Sequence, residues 1–207
     1  MTIPLKISSE EIINFNISEI EITEDGKIIK GYNGGEAYTN DGISILAEEF
    51  VYDKNTTLLV ADKNVLFKDK KKNIIIKANN ISYQKNQENI FANGNVVVED
   101  NSKNIIIFAQ QIAYSKNKDE IEAIGNVEFK DLNKNIKIKT QKAIYQKKLE
   151  KFFTKGKTIA NIDIGYEFES NNVTFLKNKM ILFSSNKTKI KDKKNSLYEL
   201  DSFEYQI

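Results

Sequence analysis

Apolar and polar residues alternate along nearly the whole chain, and the pattern repeats every 31 residues. Two consecutive copies are ANNISYQKNQENIFANGNVVVEDNSKNIIIF and AQQIAYSKNKDEIEAIGNVEFKDLNKNIKIK, which begin at Ala78 and Ala109. Tyr83, Tyr114 and Tyr145 fall in step. Alternation with a period of two is typical of half-buried strands, and a fixed longer period indicates a repeat architecture. The sequence therefore predicts a β protein built from stacked copies of one unit.

The alternation changes parity at one point in each unit. Ile105, Ile107 and Ala109 are followed by apolar residues at Ile112 and Tyr114, so one extra residue interrupts the pattern. An extra residue in a strand produces a bulge or corner that re-aims the side chains. The same flip occurs at Ala78 to Ile81, at Ala47 to Phe50 and at Ile17 to Ile20. We therefore expect a bend at the same place in every unit.

The second half of each unit alternates without a flip but carries a glycine near its middle. Gly94, Gly125 and Gly156 occupy this position, and Asn95 and Asn126 follow the first two. Glycine within a strand marks a tight bend or a close backbone approach, so these strands should bend as well. Short polar turns join the strands, which favours an antiparallel meander because parallel strands need long crossovers.

Counting the tyrosine position along the chain gives about 13 strands, since a repeat array is read from its recurring positions. That position is held by Ile22, Tyr52, Tyr83, Tyr114, Tyr145, Phe175 and Tyr205. We predict an all-β fold, an elongated open antiparallel β-jellyroll (β-taco) of two-strand repeats. A parallel β-helix and a membrane barrel are the alternatives, although the outer face has too much lysine for lipid contact. We expect a lead-in segment at 1–14 and one domain at 15–207, truncated from a longer chain.

Composition removes several classes of function. The chain has no Cys, His or Trp, which excludes zinc sites, thiol chemistry and histidine-based triads. Its net charge is +2 and every basic residue is lysine, so we expect no nucleic-acid partner. No carboxylate pair stands out as catalytic. We therefore expect no enzyme activity, no metal and no cofactor.

The unit A..I.Y.....I.A.GNV.V.D....I.I.A resembles the OstA-like repeat of the lipopolysaccharide-transport proteins, a family that includes LptA, LptC and the periplasmic N-terminal domain of LptD. The likeness covers about residues 15–205 and is clearest at ENIFANGNVVVED (88–100) and DEIEAIGNVEFKD (119–131). The opening stretch at 15–54 looks most like the start of LptD. The resemblance implies the same open β-jellyroll fold.

The resemblance also implies a function in lipopolysaccharide transport and assembly at the Gram-negative outer membrane. The expected role is that of an LptD-type periplasmic domain, which holds lipopolysaccharide acyl chains in an apolar groove. The expected partners are lipopolysaccharide, another β-jellyroll added at an edge strand, and an outer-membrane β-barrel in the same full-length chain. An LptA-like soluble periplasmic bridge is the alternative. A β-helix polysaccharide-active enzyme and an edge-stacking structural protein are alternatives from other classes.

Twelve apolar residues are the candidate groove lining, and the sequence does not separate lining from core. They are Ile74, Ile76, Ile90, Ala92, Val96, Val98, Ile105, Ile107, Ile121, Ala123, Val127 and Phe129. Because an open jellyroll leaves an apolar strip uncovered, we expect this strip to be the binding site. Asp100 and Asp131 recur at one turn position, where we assign them to turn chemistry.

Overall fold

The computed structural model describes residues 13–162 and 165–207, and all the strands in these ranges belong to one sheet. In chain order the strands are β1 (Asn14–Thr23), β2 (Ile28–Tyr38), β3 (Ile43–Ala47), β4 (Glu49–Asp53), β5 (Leu58–Asp69), β6 (Ile74–Gln84), β7 (Asn89–Asp100), β8 (Ile105–Ser115), β9 (Glu120–Asp131), β10 (Ile136–Gln146), β11 (Lys151–Ile162), β12 (Tyr166–Asn171), β13 (Thr174–Leu176), β14 (Ile181–Ser184), β15 (Thr188–Lys191), β16 (Leu197–Leu200) and β17 (Phe203–Gln206). Short 3-10 helices at Lys85–Gln87 and Lys147–Leu149 follow β6 and β10.

Four long strands are interrupted midway, so the 17 segments correspond to the 13 strands that the sequence predicts. The interrupted strands are β3 with β4, β12 with β13, β14 with β15, and β16 with β17. Neighbouring strands pair in antiparallel register throughout the described residues. This pairing confirms the all-β antiparallel prediction and excludes the parallel β-helix.

Each long strand bends where the sequence predicts a corner. The register of β7 against β8 shifts between Asn93 and Val96, and corresponding shifts recur in the neighbouring pairs. Gly94 and Asn95 have φ angles of 79° and 50°, a left-handed conformation that glycine and asparagine tolerate best. A Cβ at Gly94 would lie 2.6 Å from the Asn79 side-chain nitrogen. Both the bend and the close approach therefore favour glycine.

The corner divides the sheet into two walls, which we name by the side chains at their outer ends. The tyrosine wall carries Tyr52, Tyr83, Tyr114 and Tyr145, and includes 49–53, 58–62, 80–84, 89–93, 111–115, 120–124, 142–146 and 151–155. The aspartate wall carries Asp69, Asp100 and Asp131, and includes 43–47, 65–69, 74–78, 96–100, 105–109, 127–131, 136–140 and 158–162. Both walls begin at β1; the tyrosine wall extends to β17 and the aspartate wall to β16.

The inner faces of the two walls pack against each other. Phe129 of the aspartate wall stacks on Phe152 of the tyrosine wall, with ring centroids 4.3 Å apart, and meets Phe175 at 6.0 Å. Strand pairing joins the walls only at the corner, because within the described ranges no strand pair spans the opposite side. We call that opposite side the mouth. The fold is thus an elongated β-jellyroll that is open in its backbone hydrogen bonding.

The two walls are offset along the sheet. Asp100 at the end of β7 meets Tyr145 of β10 across the mouth, although β8 and β9 lie between these strands in the sheet. Such an offset follows from the right-handed twist of a folded sheet. The inner faces consequently overhang at both ends, where Ile22 of β1 and Tyr198 of β16 are 61% and 50% exposed.

Most of the predicted lead-in at 1–14 lies outside the described residues, so its conformation and the domain boundary stay predictions. Among the residues that the structure describes, no helix is long and apolar enough to cross a membrane.

Candidate functional site

The twelve candidate lining residues all lie on the inner faces, where none is more than 2% exposed. Ile90, Ala92, Ile121 and Ala123 lie on the tyrosine wall. The remaining members, Ile74, Ile76, Val96, Val98, Ile105, Ile107, Val127 and Phe129, lie on the aspartate wall. The structure therefore brings these residues together in one continuous apolar interior. Their contact with lipid stays a prediction.

Small and large side chains alternate on the tyrosine wall beside the corner. Ala92 and Ala123 are each paired with Ile112, and all three are buried. Larger rings, such as that of Phe129, lie farther from the corner. The two alanines thus leave room for Ile112 between them.

The expected exposed apolar strip is absent from the described structure, because charged and phenolic side chains cover the mouth. At its centre Asp100 accepts a hydrogen bond from the Tyr145 hydroxyl at 3.0 Å and forms an ion pair with Lys147 at 2.7 Å. The Asp100 and Lys147 side chains are only 1% and 11% exposed. Buried charges of this kind are costly to separate, since each loses its counter-charge in a poorly solvated site.

The pairing of a buried aspartate with a lysine recurs along the mouth, and we call the set of three rungs the ion-pair ladder. Its buried pairs are Asp69 with Lys116, Asp100 with Lys147, and Asp131 with Lys177. The first rung is looser, with 3.6 Å between the Lys116 ammonium and the Asp69 carboxylate. Two more pairs connect facing turns at the rim, Lys72 with Asp119 and Lys103 with Glu150.

The ladder also perturbs the tyrosines beside it. Burial, followed by the negative charge of Asp100, raises the pKa of Tyr145 far above its ordinary value of 10.0. Burial and then Asp69 raise the pKa of Tyr114 in the same way. Both phenols thus stay protonated at neutral pH, where they act as structural groups at the mouth. Within the described ranges no cluster of side chains could hold a metal ion.

The mouth changes character towards the C-terminus. One repeat after Asp131, the aspartate position is held by Ile162, which is buried. About one repeat after Lys177, the lysine position is held by Ile207, as the period predicts. There, Tyr166 of the aspartate wall meets Tyr205 of the tyrosine wall, with ring centroids 5.7 Å apart. We call this contact the tyrosine rung. It closes the mouth through ring contact, with the Lys193 ammonium 5.6 Å from the centre of the Tyr166 ring, and among the described residues no ion pair spans it.

The corner changes in the opposite sense. Val96 and Val127 occupy its aspartate side in the middle of the sheet, where they are buried. From Thr140 onwards most of the buried corner residues carry hydroxyl groups: Thr140, Thr154, Thr158, Ser170, Ser184 and Thr188. These hydroxyls bond to one another, with Thr154 and Thr158 at 2.6 Å. The C-terminal corner is therefore polar and internally satisfied.

Turn chemistry explains only part of what the aspartates do. Asp100 accepts from the backbone N–H of Ser102 at 3.1 Å, and Asp131 accepts from that of Asn133 at 2.9 Å. These bonds fit the predicted turn role. The sequence interpretation missed the lysine partners, although Lys116 and Lys147 recur with the same period, 47 residues after an aspartate in each case.

Neither known protein-family models nor curated protein sequences match this chain. Among solved structures, the fold is similar to the crystal structure of LptH, described as the LptA homologous periplasmic component of the conserved lipopolysaccharide transport device from Pseudomonas aeruginosa. The TM-score is 0.46 at 14% sequence identity, and the match covers 51% of this chain and 76% of that chain. The fold assignment made above rests on the strand pairing of this chain alone.

Proposed function

We propose that this chain binds the acyl chains of lipopolysaccharide in its interior and serves lipopolysaccharide transport in the periplasm. The observation that carries the proposal is the continuous apolar interior between two walls whose backbones are not paired at the mouth. Such an interior can admit apolar chains by parting side chains, without breaking a strand ladder. The OstA-like repeat pattern of the sequence supports the choice of lipopolysaccharide as the ligand.

The role needs binding without catalysis. The interior is lined mainly by apolar side chains, apart from the hydroxyl groups of the C-terminal corner. Apolar side chains stabilise a lipid chain by removing it from water, at ~0.8 kcal/mol for each buried CH₂ group. The buried lysines and carboxylates are paired with one another across the mouth. We therefore assign the ladder a structural role and the interior a carrier role.

Photo-crosslinking at inward and outward positions tests this function. A crosslinking residue in place of Ile90 or Ile107, one on each wall, should capture lipopolysaccharide in Gram-negative cells. The matched controls are the outward-facing neighbours Phe91 and Ile106, which should capture little. Equal capture at inward and outward positions, or no capture at Ile90 and Ile107 in a folded protein, would reject the proposal.

Within this function we favour an LptD-type periplasmic domain attached to an outer-membrane barrel, on the likeness of residues 15–54 to the start of LptD. The genomic reading frame that contains this chain distinguishes an LptD-type domain from an LptA-like bridge. A continuation into strands of ~10 alternating residues with aromatic girdles would be expected. A frame without such strands would favour the LptA-like bridge.

The overhanging ends support the bridge alternative. Ile20 and Ile22 at one end and Tyr198 and Leu200 at the other face inwards by strand parity, yet all four are exposed. A strand of another β-jellyroll added at either edge would cover them. The molecular mass in solution, measured over a range of protein concentrations, tests this association between copies. Tyr198→Lys should weaken the association, and the outward-facing control substitution Lys189→Glu should leave it largely unchanged.

A further inference from the structure

The mouth presents two kinds of closure to a molecule that approaches from the side. Along the ladder, Lys147 and Asp100 meet at 2.7 Å, and both are almost wholly buried. At the tyrosine rung, Tyr166 and Tyr205 make an aromatic contact, and within the described residues no ion pair joins the two walls there. The two closures share one row of the interior, because Tyr145 and Tyr205 occupy the same repeat position on the tyrosine wall.

The free-energy cost of opening differs between the two closures. Parting Lys147 from Asp100 separates opposite charges in a site that water reaches poorly, and Tyr145 also loses its acceptor. Unpaired buried charges are strongly destabilising. Parting Tyr166 from Tyr205 removes ring contacts that an inserted alkyl chain would replace with its own.

On its interior side the tyrosine rung borders apolar side chains. Phe168 stacks on Phe203 at 4.9 Å and lies 5.2 Å from Tyr205, between ring centroids. Ile190 packs against the same cluster and is only partly buried. An alkyl chain that passes the rung would therefore meet apolar surface at once.

We propose that the mouth opens sideways at the tyrosine rung, and that the ion-pair ladder keeps the rest of the mouth closed to an alkyl chain. The ligand class is an amphiphile whose alkyl chain inserts while its polar headgroup stays in water. This inference rests on the proposed function for its ligand, and it adds the route by which the interior is reached.

Distances between spin labels test the route. The chain contains no cysteine, so two cysteines introduced on exposed surfaces can be labelled selectively. One pair, Glu167→Cys with Glu204→Cys, flanks the tyrosine rung on the outer faces of the two walls. The other pair, Asn101→Cys with Lys148→Cys, joins the facing turns at the central rung. The probe is dodecyl maltoside below its critical micelle concentration.

The 167/204 distance should lengthen on addition of the probe by ~4 Å, the van der Waals width of one alkyl chain. The 101/148 distance should stay unchanged. Lys147→Met should then let the probe lengthen the 101/148 distance too, because Asp100 keeps its bonds to Ser102 and Tyr145 while the ion pair is lost. The matched control is Lys77→Met, which removes an outward ion pair of the same 2.7 Å length.

No lengthening at 167/204, or equal lengthening at 101/148 in the chain with an intact ladder, would overturn the proposal. If circular dichroism shows that the 167/204 labels perturb folding, Lys191→Cys with Glu204→Cys gives a second pair on the same two walls. The experiment contains no lipopolysaccharide. A failure here thus leaves the crosslinking result standing, and a failure of crosslinking leaves this result standing.

Discussion

The middle of the sheet and its C-terminal third use the same repeat but reverse the polarity of the interior. In the middle, the corner is apolar at Val96 and the mouth is ionic at Asp100 with Lys147. In the C-terminal third, the corner carries hydroxyl groups at Thr158, and the mouth is aromatic at Tyr166 with Tyr205. A repeat thus fixes where side chains lie, while the residue at each position decides how the walls are held together.

The largest loss of stability is expected when the ion pair in the middle of the sheet is broken. Asp100→Ala leaves Lys147 without its counter-charge and Tyr145 without its acceptor, so the free energy of unfolding should fall by ~3–5 kcal/mol. Urea denaturation measures the loss. Glu99→Ala, which breaks the outward pair with Lys77, should cost only ~0–1 kcal/mol. Equal losses for the two variants would show that burial of the ladder adds nothing.

A smaller effect is expected from exchanging the corner chemistry. Val96→Thr places a hydroxyl in a corner of apolar residues and should cost ~1–3 kcal/mol. Thr158→Val removes the bonds to Thr154 and to the Gly156 carbonyl, and should cost ~1 kcal/mol. Both are measured by urea denaturation, with the outward-facing Val97→Thr as the control. The contrast between the two corners fails if Val96→Thr is neutral.

A comparably small effect at neutral pH is expected from Tyr145→Phe, because the chain already carries Phe175 at the same repeat position. Loss of one hydrogen bond to a carboxylate should cost ~1.5 kcal/mol. The pH dependence is more informative. Because the folded protein raises the pKa of Tyr145 above 10.0, the unfolded chain loses its phenolic proton first as the pH rises.

The stabilisation from a protonated Tyr145 is therefore complete below pH 10 and declines as the pH rises above that value. Alkaline unfolding followed by circular dichroism should show a shallower decline for Tyr145→Phe than for the unchanged chain. Phe91→Leu, at an outward and exposed position, serves as the control because it changes no titratable group, and it should leave the slope unchanged. Identical slopes for the unchanged chain and Tyr145→Phe would contradict the burial of this phenol.

Local patterns in the sequence were enough to predict the strands, the corner and the inward faces. The flip between Ala109 and Ile112 and the glycine at Gly94 each act within a few residues, so their effect can be deduced without knowledge of the rest of the fold. The ladder was missed because it joins residues 47 positions apart on opposite walls. Its register depends on the three-strand offset, which arises from the twist of the whole sheet and leaves no mark on the alternation.

The closed mouth was missed for a related reason. Asp100 has a sufficient local role in its turn with Ser102, and Lys147 lies in a polar turn like many other lysines. These residues differ from solvated ones only because the aspartates of one wall face the lysines of the other wall, each recurring with the repeat. The change to apolar rungs near Ile162 is visible in the sequence only after the ladder is known.

The three-strand offset also determines how this molecule could change in length. Each rung pairs a lysine with an aspartate about one and a half repeats earlier. Duplicating residues 89–119 would place the new Lys116 opposite the original Asp100, and every later lysine would again face an aspartate. The body would gain two strands and ~9.5 Å, at the usual strand spacing. Inserting a single strand would instead reverse the direction of every later strand and move its lysine-bearing turn to the aspartate wall, so the chain can grow only in whole repeats.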